Sequence, residues 1–175
     1  MIKHSRLPTS ALRRVLLRAL ALALGASVAM AARTTGAEPE RAWSLPQKFD
    51  PKRDAAADVA AAVSLASRAG KRVIVDVGGE WCSWCHIMDA FFESHPELAA
   101  LRERHYVWLK VNFSKDNPNT ALLSRWPKIA GYPHLFVLDG RGELVHSQDT
   151  SPLESGKGYN ADAVRAFLTR YAPPA

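Results

Sequence analysis

Residues 73–88, which read VIVDVGGEWCSWCHIM, decide the fold of this 175-residue chain. The first five are β-branched and apolar except for Asp76, a pattern that predicts a strand buried on both faces of a sheet. The two glycines that follow predict a tight turn. Cys82 and Cys85 then stand at the start of a predicted helix that ends near Ser94. This strand–turn–helix unit fixes how the flanking segments are interpreted.

The flanking segments predict further helices and strands around this unit. Asp54 can cap an alanine-rich helix that ends near Gly70. The predicted downstream elements are a helix at 96–104, a strand at 106–111, a short helix at 120–126, strands at 134–138 and 143–147 joined by a hairpin turn, and a helix at 161–171. The order predicts an α/β fold: a central mixed sheet of about four strands flanked by helices, with an extra N-terminal helix. We expect parallel pairing where helices intervene and antiparallel pairing at the hairpin.

The excess positive charge lies in the first 32 residues. The whole chain has 23 Lys and Arg against 17 Asp and Glu, a net charge of +6. Residues 1–32 hold five of the basic residues and no acid, so the remainder, with 18 basic and 17 acidic residues, has a net charge of +1. A nearly neutral domain provides no electrostatic argument for nucleic acid as a partner.

Residues 1–32 are predicted to be a secretory signal peptide. Basic residues precede an apolar run at 19–32, and Ala-Met-Ala at 29–31 fits a cleavage site between small residues. Arg13-Arg14 is compatible with a twin-arginine route, and an N-terminal amphipathic helix is the alternative. The predicted organisation is a signal peptide at 1–32, a linker at 33–48 and one domain at 49–175. We expect a periplasmic location, where disulfides can form.

Cys82 and Cys85 are the residues expected to carry chemistry. At a helix N-terminus, free N–H groups and the helix dipole favour a thiolate at Cys82. Cys85 lies one turn further along, close enough to close a disulfide. Cys82 can attack a disulfide, and Cys85 can then resolve the mixed disulfide that forms. A purely structural disulfide is the alternative, but so small a ring constrains little of the chain.

Residues 75–85, VDVGGEWCSWC, and Gly-Tyr-Pro at 131–133 together resemble the thioredoxin family. The matching features are an acid six positions before the first cysteine, a tryptophan directly before that cysteine, the Cys-x-x-Cys motif and the distant Gly-x-Pro. The resemblance extends over residues 50–171 and implies a thioredoxin-like fold of the exported type with an additional N-terminal helix. Ser83-Trp84 replaces the Gly-Pro of a general thioredoxin, which leaves the substrate and the direction of the reaction open.

The resemblance also implies roles for the residues around the cysteines. Asp76 is expected to relay a proton to or from Cys85, with a hydrogen-bonded structural acid as the alternative. Pro133 is expected in the cis form facing the disulfide, although most X-Pro bonds are trans. Trp84, between the cysteines, is expected to be exposed. The predicted substrate-binding residues are Trp81, Trp84, Tyr132 and Pro133.

These expectations combine into an exported thiol–disulfide oxidoreductase that reduces protein disulfides. Cys82 is the predicted nucleophile and Cys85 the resolving thiol. The disulfide is its own redox centre, so no organic cofactor or metal is expected. The expected partners are protein thiols and disulfides and an external redox protein that recharges the pair, with a membrane electron carrier as a candidate. The chain is expected to act as a monomer.

Two other functions fit part of the motif. Residues 82–86 read Cys-x-x-Cys-His, the attachment signature of c-type haem. Against haem, a buried strand precedes the motif whereas small c-type cytochromes are helical, and Met88 lies too near His86 to reach the opposite axial face. The other alternative is a metal-binding thioredoxin-like module that uses both cysteines and a distant histidine, although copper proteins of that fold usually space their cysteines more widely.

Overall fold

The computed structural model describes residues 45–174. The predicted signal peptide and the predicted linker up to residue 44 lie outside these described residues. Within residues 45–174, no helix combines the length and the apolar character needed to cross a membrane.

The order of the elements follows the predicted order closely. The helices are α1 (Ala55–Ala69), α2 (Ser83–Ser94), α3 (Pro96–His105), α4 (Thr120–Leu123) and α5 (Ala161–Arg170). The strands are β1 (Arg72–Gly78), β2 (Tyr106–Asn112), β3 (His134–Leu138), β4 (Leu144–Asp149), β5 (Glu154–Ser155) and β6 (Gly158–Tyr159). The caps of α1 are those predicted: the Asp54 carboxylate accepts from two backbone N–H groups, and Gly70 ends the helix at φ +64°, where a side chain is disfavoured.

The main sheet has four strands in the order β2-β1-β3-β4. β1 and β2 are parallel, whereas β1 pairs antiparallel with β3 and β3 antiparallel with β4. This confirms the predicted four-stranded mixed sheet with flanking helices and an N-terminal helix before it. The prediction of parallel pairing across intervening helices is correct for β1 and β2. It is wrong for β3, which follows α4 but crosses to the other side of β1 and reverses direction.

β1 lies in the middle of the sheet between two apolar layers. Val75 and its odd-numbered neighbours pack with α1, whereas Ile74 packs with α2, α3 and α5. Successive side chains of a strand point to opposite faces, so Asp76 and Gly78 share the face of Ile74. On this face of β1, Asp76 and Gly78 therefore occupy positions where apolar side chains would be expected. Both lie near the end of β1 that leads into α2.

Two regions differ from the sequence-based expectation. α4 ends at Leu123 rather than at 126, and the Trp126 ring instead packs against Phe136 with ring centroids 4.7 Å apart. The segment 150–160, in which no helix or strand was predicted, contains a 3-10 turn at Ser151–Leu153 and the β5–β6 pair. Because this segment is rich in Ser, Gly and Pro, its two buried residues, Leu153 and Tyr159, were not recognised from the sequence.

Candidate active site

The two cysteines form a disulfide at the first turn of α2. Their sulfurs are 2.04 Å apart, and Cys82 is the N-cap residue of the helix. The Cys85 backbone N–H donates to the Cys82 sulfur over 3.1 Å. The first N–H groups of a helix lack intrahelical acceptors, so a negative charge on the Cys82 sulfur would be stabilised at this position. Cys82 is 3% exposed and Cys85 is fully buried, so Cys82 is the more accessible residue of the pair.

Gly78 allows β1 to pass directly against this disulfide. A Cβ atom placed on Gly78 would fall far inside contact distance of the Cys85 sulfur and 3.1 Å from the Phe49 ring. Because the disulfide holds the Cys85 sulfur in place, a side chain here could not be accommodated by a simple rotation. Gly78, predicted only as part of a turn, is therefore required by close packing between the strand and the helix.

Asp76 is fully buried on β1, two residues before Gly78 on the same face of the strand. Its Oδ2 accepts from the Lys110 Nζ at 3.3 Å and from the Trp108 Nε1 at 3.2 Å. Its Oδ1 has no hydrogen-bond partner among the described residues. The same Lys110 ammonium donates to the Asp89 Oδ1 at 2.7 Å. One buried cation thus joins the buried acid on β1 to a second, half-exposed acid on α2.

The electrostatics of this triad are dominated by burial. Burial raises the pKa of Asp76, the nearby Asp89 carboxylate adds to the rise, and the Lys110 charge opposes it without cancelling it. Burial acts to lower the pKa of Lys110, but the two carboxylates outweigh that effect and the pKa is raised. Lys110 is therefore held as a cation, while Asp76 binds a proton more readily than an ordinary aspartic acid.

A group of aromatic side chains lies beside the disulfide. Trp81 is 57% exposed, and its Nε1 donates to the Phe113 carbonyl at 2.7 Å. The Tyr132 ring meets Trp81 edge-on at 5.4 Å, stacks on Phe113 at 4.9 Å and packs against the buried cluster formed by the two cysteines and Phe49. The Tyr132–Pro133 peptide bond is cis, and Pro133 itself is buried. The structure thus brings Trp81, Tyr132 and Pro133 together, and it adds Phe113, which no sequence signal marked.

Trp84 differs from its expectation. It is half-buried rather than exposed, with its ring in edge contact with Tyr159 at a centroid distance of 5.6 Å. The Tyr159 hydroxyl donates to the Trp84 carbonyl at 3.2 Å. The expected exposure of Trp84 was wrong because the β5–β6 pair was not predicted. This pair places Tyr159 over the start of α2.

Phe49 is a further member of the site that sequence reasoning missed. It is 2% exposed and belongs to one buried cluster with the two cysteines, and its ring centroid lies 4.2 Å from the Lys110 Nζ. Its backbone N–H donates to the Glu80 Oε1 at 3.0 Å. The sequence places this aromatic 33 positions before Cys82, in a segment without helical or strand periodicity. Only the tertiary fold brings it to the disulfide.

Two depressions adjoin the site. A cleft of about 520 Å³ has a charged lining and reaches both Lys110 and Asp89, while a groove of about 410 Å³ has an aromatic and apolar lining that includes Tyr132. The charged residues that line the cleft are Lys48, Glu80, His86, Asp89, Glu93, Arg102 and Lys110. Within the described chain, no three His, Cys, Asp or Glu side chains are grouped so that they could hold a metal ion.

Comparison with known proteins gives consistent similarities. A family model described as thioredoxin-like matches residues 54–140. The thiol:disulfide interchange protein DsbE of Pseudomonas aeruginosa is 31% identical over 108 residues, which cover 61% of this chain and 51% of that protein. The chain therefore spans about half the length of this curated relative.

Solved structures share the fold. A disulphide isomerase from Xylella fastidiosa superposes with a TM-score of 0.61 at 21% identity, over 74% of this chain and 98% of that one. The oxidised C-terminal domain of DsbD from Neisseria meningitidis superposes with a TM-score of 0.52 at 23% identity, over 71% and 98%. At these sequence identities the similarity establishes only that the fold is shared. The chemistry is inferred from the geometry of the site.

Proposed function

The chain belongs to the thioredoxin-like family, and on that basis we propose that it is a thiol–disulfide oxidoreductase that reduces disulfides in other proteins. The observation that carries the proposal is the Cys82–Cys85 pair at the start of α2, with the buried Asp76 on the adjacent strand. The name of the Pseudomonas aeruginosa relative, a thiol:disulfide interchange protein, supports exchange chemistry of this kind.

The first step uses the reduced protein, with Cys82 as the thiolate. Its sulfur attacks one sulfur of the substrate disulfide, so a Cys82–substrate bond forms and the substrate S–S bond breaks. The electron pair leaves on the second substrate sulfur, which takes up a proton. Cys82 suits this role because it is the more accessible of the two cysteines and because it occupies the N-cap of α2, where a negative charge is favoured.

The second step releases the substrate. Cys85 gives its proton to the Asp76 carboxylate, and its sulfur then attacks Cys82. The Cys82–substrate bond breaks, the electron pair leaves on the substrate sulfur, and the Cys82–Cys85 disulfide forms. Two electrons have passed from the protein dithiol to the substrate. Asp76 suits the role of proton acceptor because burial raises its pKa, which makes it a stronger base than an exposed carboxylate.

The substrate is proposed to lie along the aromatic side of the disulfide. Trp81 and Tyr132 provide apolar contact, and the chain before Pro133 provides a backbone edge beside the sulfurs. Trp84 contributes the part of its ring that remains accessible. The redox-active disulfide needs no organic cofactor in this scheme, and an external redox protein restores the dithiol after each turnover.

We further propose that the protein works as a monomer outside the cytoplasm. Support for export comes from the basic and then apolar composition of residues 1–32. A periplasm keeps protein thiols under oxidising conditions, so a reductase there needs a supply of electrons from elsewhere. Fractionation of cells that express the full chain tests the location: the shortened protein is expected in the periplasmic fraction, and uncleaved protein in the cytoplasm contradicts it.

Turnover with a model disulfide tests the function. The protein is expected to accelerate reduction of insulin by dithiothreitol, and Cys82→Ser is expected to return the rate to the uncatalysed level. Ser64→Ala, an exposed position on α1, is the matched control and should retain the wild-type rate. A wild-type rate in Cys82→Ser would contradict the proposal, as would a covalent Soret band in the purified protein, which would indicate haem at the cysteines.

A further inference from the structure

The segment before α1 covers the disulfide from the side of the buried sulfur. The Phe49 ring atoms Cζ and Cε1 lie 3.1 and 3.3 Å from the point where a Cβ atom of Gly78 would stand, and the Cys85 sulfur borders the same point. Phe49 is 2% exposed and forms one apolar cluster with both cysteines. The ring and the resolving sulfur therefore share the space that Gly78 leaves open.

The same ring also faces the charged triad. The Lys110 Nζ lies 4.2 Å from its centroid, within the range of a cation–π interaction. That ammonium is the donor to both Asp76 and Asp89. Phe49 thus contacts the pocket of the resolving cysteine on one side and the cation that holds Asp76 on the other.

Two hydrogen bonds hold the segment in place. The Phe49 backbone N–H donates to the Glu80 Oε1 at 3.0 Å, directly before the cysteine motif. The Asn117 Nδ2 donates to the Pro51 carbonyl at 2.9 Å, from the loop that follows β2. The segment is therefore held against the site at Phe49 itself and two residues after it.

We propose that Phe49 is a positioning residue for the resolving step, which keeps water away from Cys85 and from the Asp76–Lys110 pair. The proposal rests on the proposed function. With the ring in place, the proton that leaves Cys85 passes to Asp76, since bulk water has no access to the sulfur. The same exclusion of water disfavours a thiolate at Cys85 and so limits the stability of the reduced form.

Removal of the ring has a defined chemical consequence. Water from the adjoining charged cleft can then reach the space between Gly78 and Lys110. Hydration favours the thiolate over the thiol, and it lowers the pKa of Asp76 because desolvation is the main cause of its rise. A stabilised reduced form shifts the equilibrium with glutathione towards the dithiol.

The other charges around Asp76 stay the same when only Phe49 changes. The titratable and charged groups that face this acid or its cation are Lys110 on β2, Asp89 on α2, Arg102 on α3, Tyr159 on β6, and Glu80 and His86 at the edge of the cleft. None of these side chains is replaced in a Phe49 variant, so a change in the redox equilibrium reports the loss of the ring and of its contact with Lys110.

The test measures the Cys82–Cys85 equilibrium with reduced and oxidised glutathione, by alkylation and mass spectrometry. Phe49→Ala is expected to raise the proportion of dithiol to disulfide at least threefold at neutral pH. Phe49→Leu keeps most of the space filled and is expected to raise the proportion of dithiol by a smaller factor. This variant provides the test if Phe49→Ala does not fold. Phe167→Ala is the control, since it removes another buried ring, from α5 and outside the cysteine cluster.

A second readout follows Cys85 directly in the Cys82→Ser background. Phe49→Ala is expected to increase the alkylation rate of Cys85 at neutral pH severalfold. It is also expected to shift the pH at which this rate begins to rise to a lower value. Phe167→Ala is expected to change neither the rate nor its pH dependence. Wild-type values in both Phe49 variants would overturn the inference, as would equal shifts in Phe167→Ala. The glutathione equilibrium is measured without a protein substrate. A failure to reduce insulin would therefore contradict the proposed function but would not decide whether Phe49 controls the equilibrium of the cysteine pair.

Discussion

At the scale of single residues, the two oxygens of Asp76 are in unequal situations. One accepts from Lys110 and Trp108, while the other lies buried without a partner among the described residues. A buried ionised carboxylate that is incompletely paired destabilises the folded state. Protonation removes the buried charge and so lowers this cost, which suits a group proposed to take up and release a proton during each turnover.

Asp76→Asn provides a pH-dependent test of this environment. The pKa of Asp76 is higher in the folded protein than in the unfolded chain. Between these two pKa values the folded protein binds more protons than the unfolded chain. The free energy of unfolding therefore falls as the pH rises from the unfolded-state pKa through the folded-state pKa. The variant should therefore gain free energy of unfolding over wild type at about pH 8 and not at about pH 4, near the unfolded pKa. It should also slow the resolving step about 100-fold, within the range for loss of a general base.

Urea unfolding at the two pH values and single-turnover kinetics check this prediction. Asp89→Asn is the matched control, because it removes the other carboxylate of Lys110 but not the fully buried one. A stability difference between Asp76→Asn and wild type that does not change with pH would contradict the raised pKa. An unchanged resolving rate would remove Asp76 from the mechanism.

The sequence was sufficient to predict those site residues that occupy motif positions. Cys82, Cys85 and Asp76 lie within ten residues of one another, so local spacing predicts their proximity. Lys110 and Phe49 could not be identified in this way. Lys110 is paired with Asp76 by the register between β1 and β2, and Phe49 reaches the site through the path of the chain before α1. Neither relation is encoded in any local pattern.

At the scale of elements, the end of β1 and the start of α2 are packed as closely as a glycine permits. Gly78→Ala places a methyl group against the Cys85 sulfur and the Phe49 ring. Overpacking of this kind typically costs about 1–3 kcal/mol of unfolding free energy. The variant is expected to lose that much stability and to hold a smaller fraction of the disulfide at equilibrium with glutathione.

Gly158→Ala is the matched control for this prediction. Gly158 lies in β6 with a negative φ, and a Cβ atom there would have no neighbour within 4 Å. Its replacement should leave both stability and the disulfide equilibrium close to wild type. Equal behaviour of the two alanine variants in urea unfolding would contradict the proposed close contact at Gly78.

Element prediction succeeded where the signals were local and failed where they were not. The Asp54 cap, the Gly70 end and the alanine-rich face together predicted α1, and β1 was evident from its β-branched run. β5 and β6 have two residues each, too few for any periodicity, and they are stabilised by the burial of Tyr159. Their omission also caused the error at Trp84, since its cover comes from β6.

At the scale of the whole molecule, the order of elements was enough to predict the mixed sheet but not its crossover. Parallel pairing of β1 and β2 follows from the two helices between them, whereas the position of β3 beyond β1 depends on the path of the chain from α4 through the cis Tyr132–Pro133 bond. That crossover carries Tyr132 to the disulfide. The long-range topology thus assembles the substrate side of the site.

The central claim is that Cys82 attacks protein disulfides and that Cys85 resolves the product. Cys85→Ser leaves the nucleophile without its resolving partner, so mixed disulfides should accumulate. The decisive measurement is mass spectrometry of proteins attached to Cys82 in cells that express the Cys85→Ser chain, with Cys82→Ser/Cys85→Ser as the control. Substrate proteins are expected to be attached through Cys82, to be released by dithiothreitol and to be absent from the control. No trapped protein, or equal capture by the control, would contradict it.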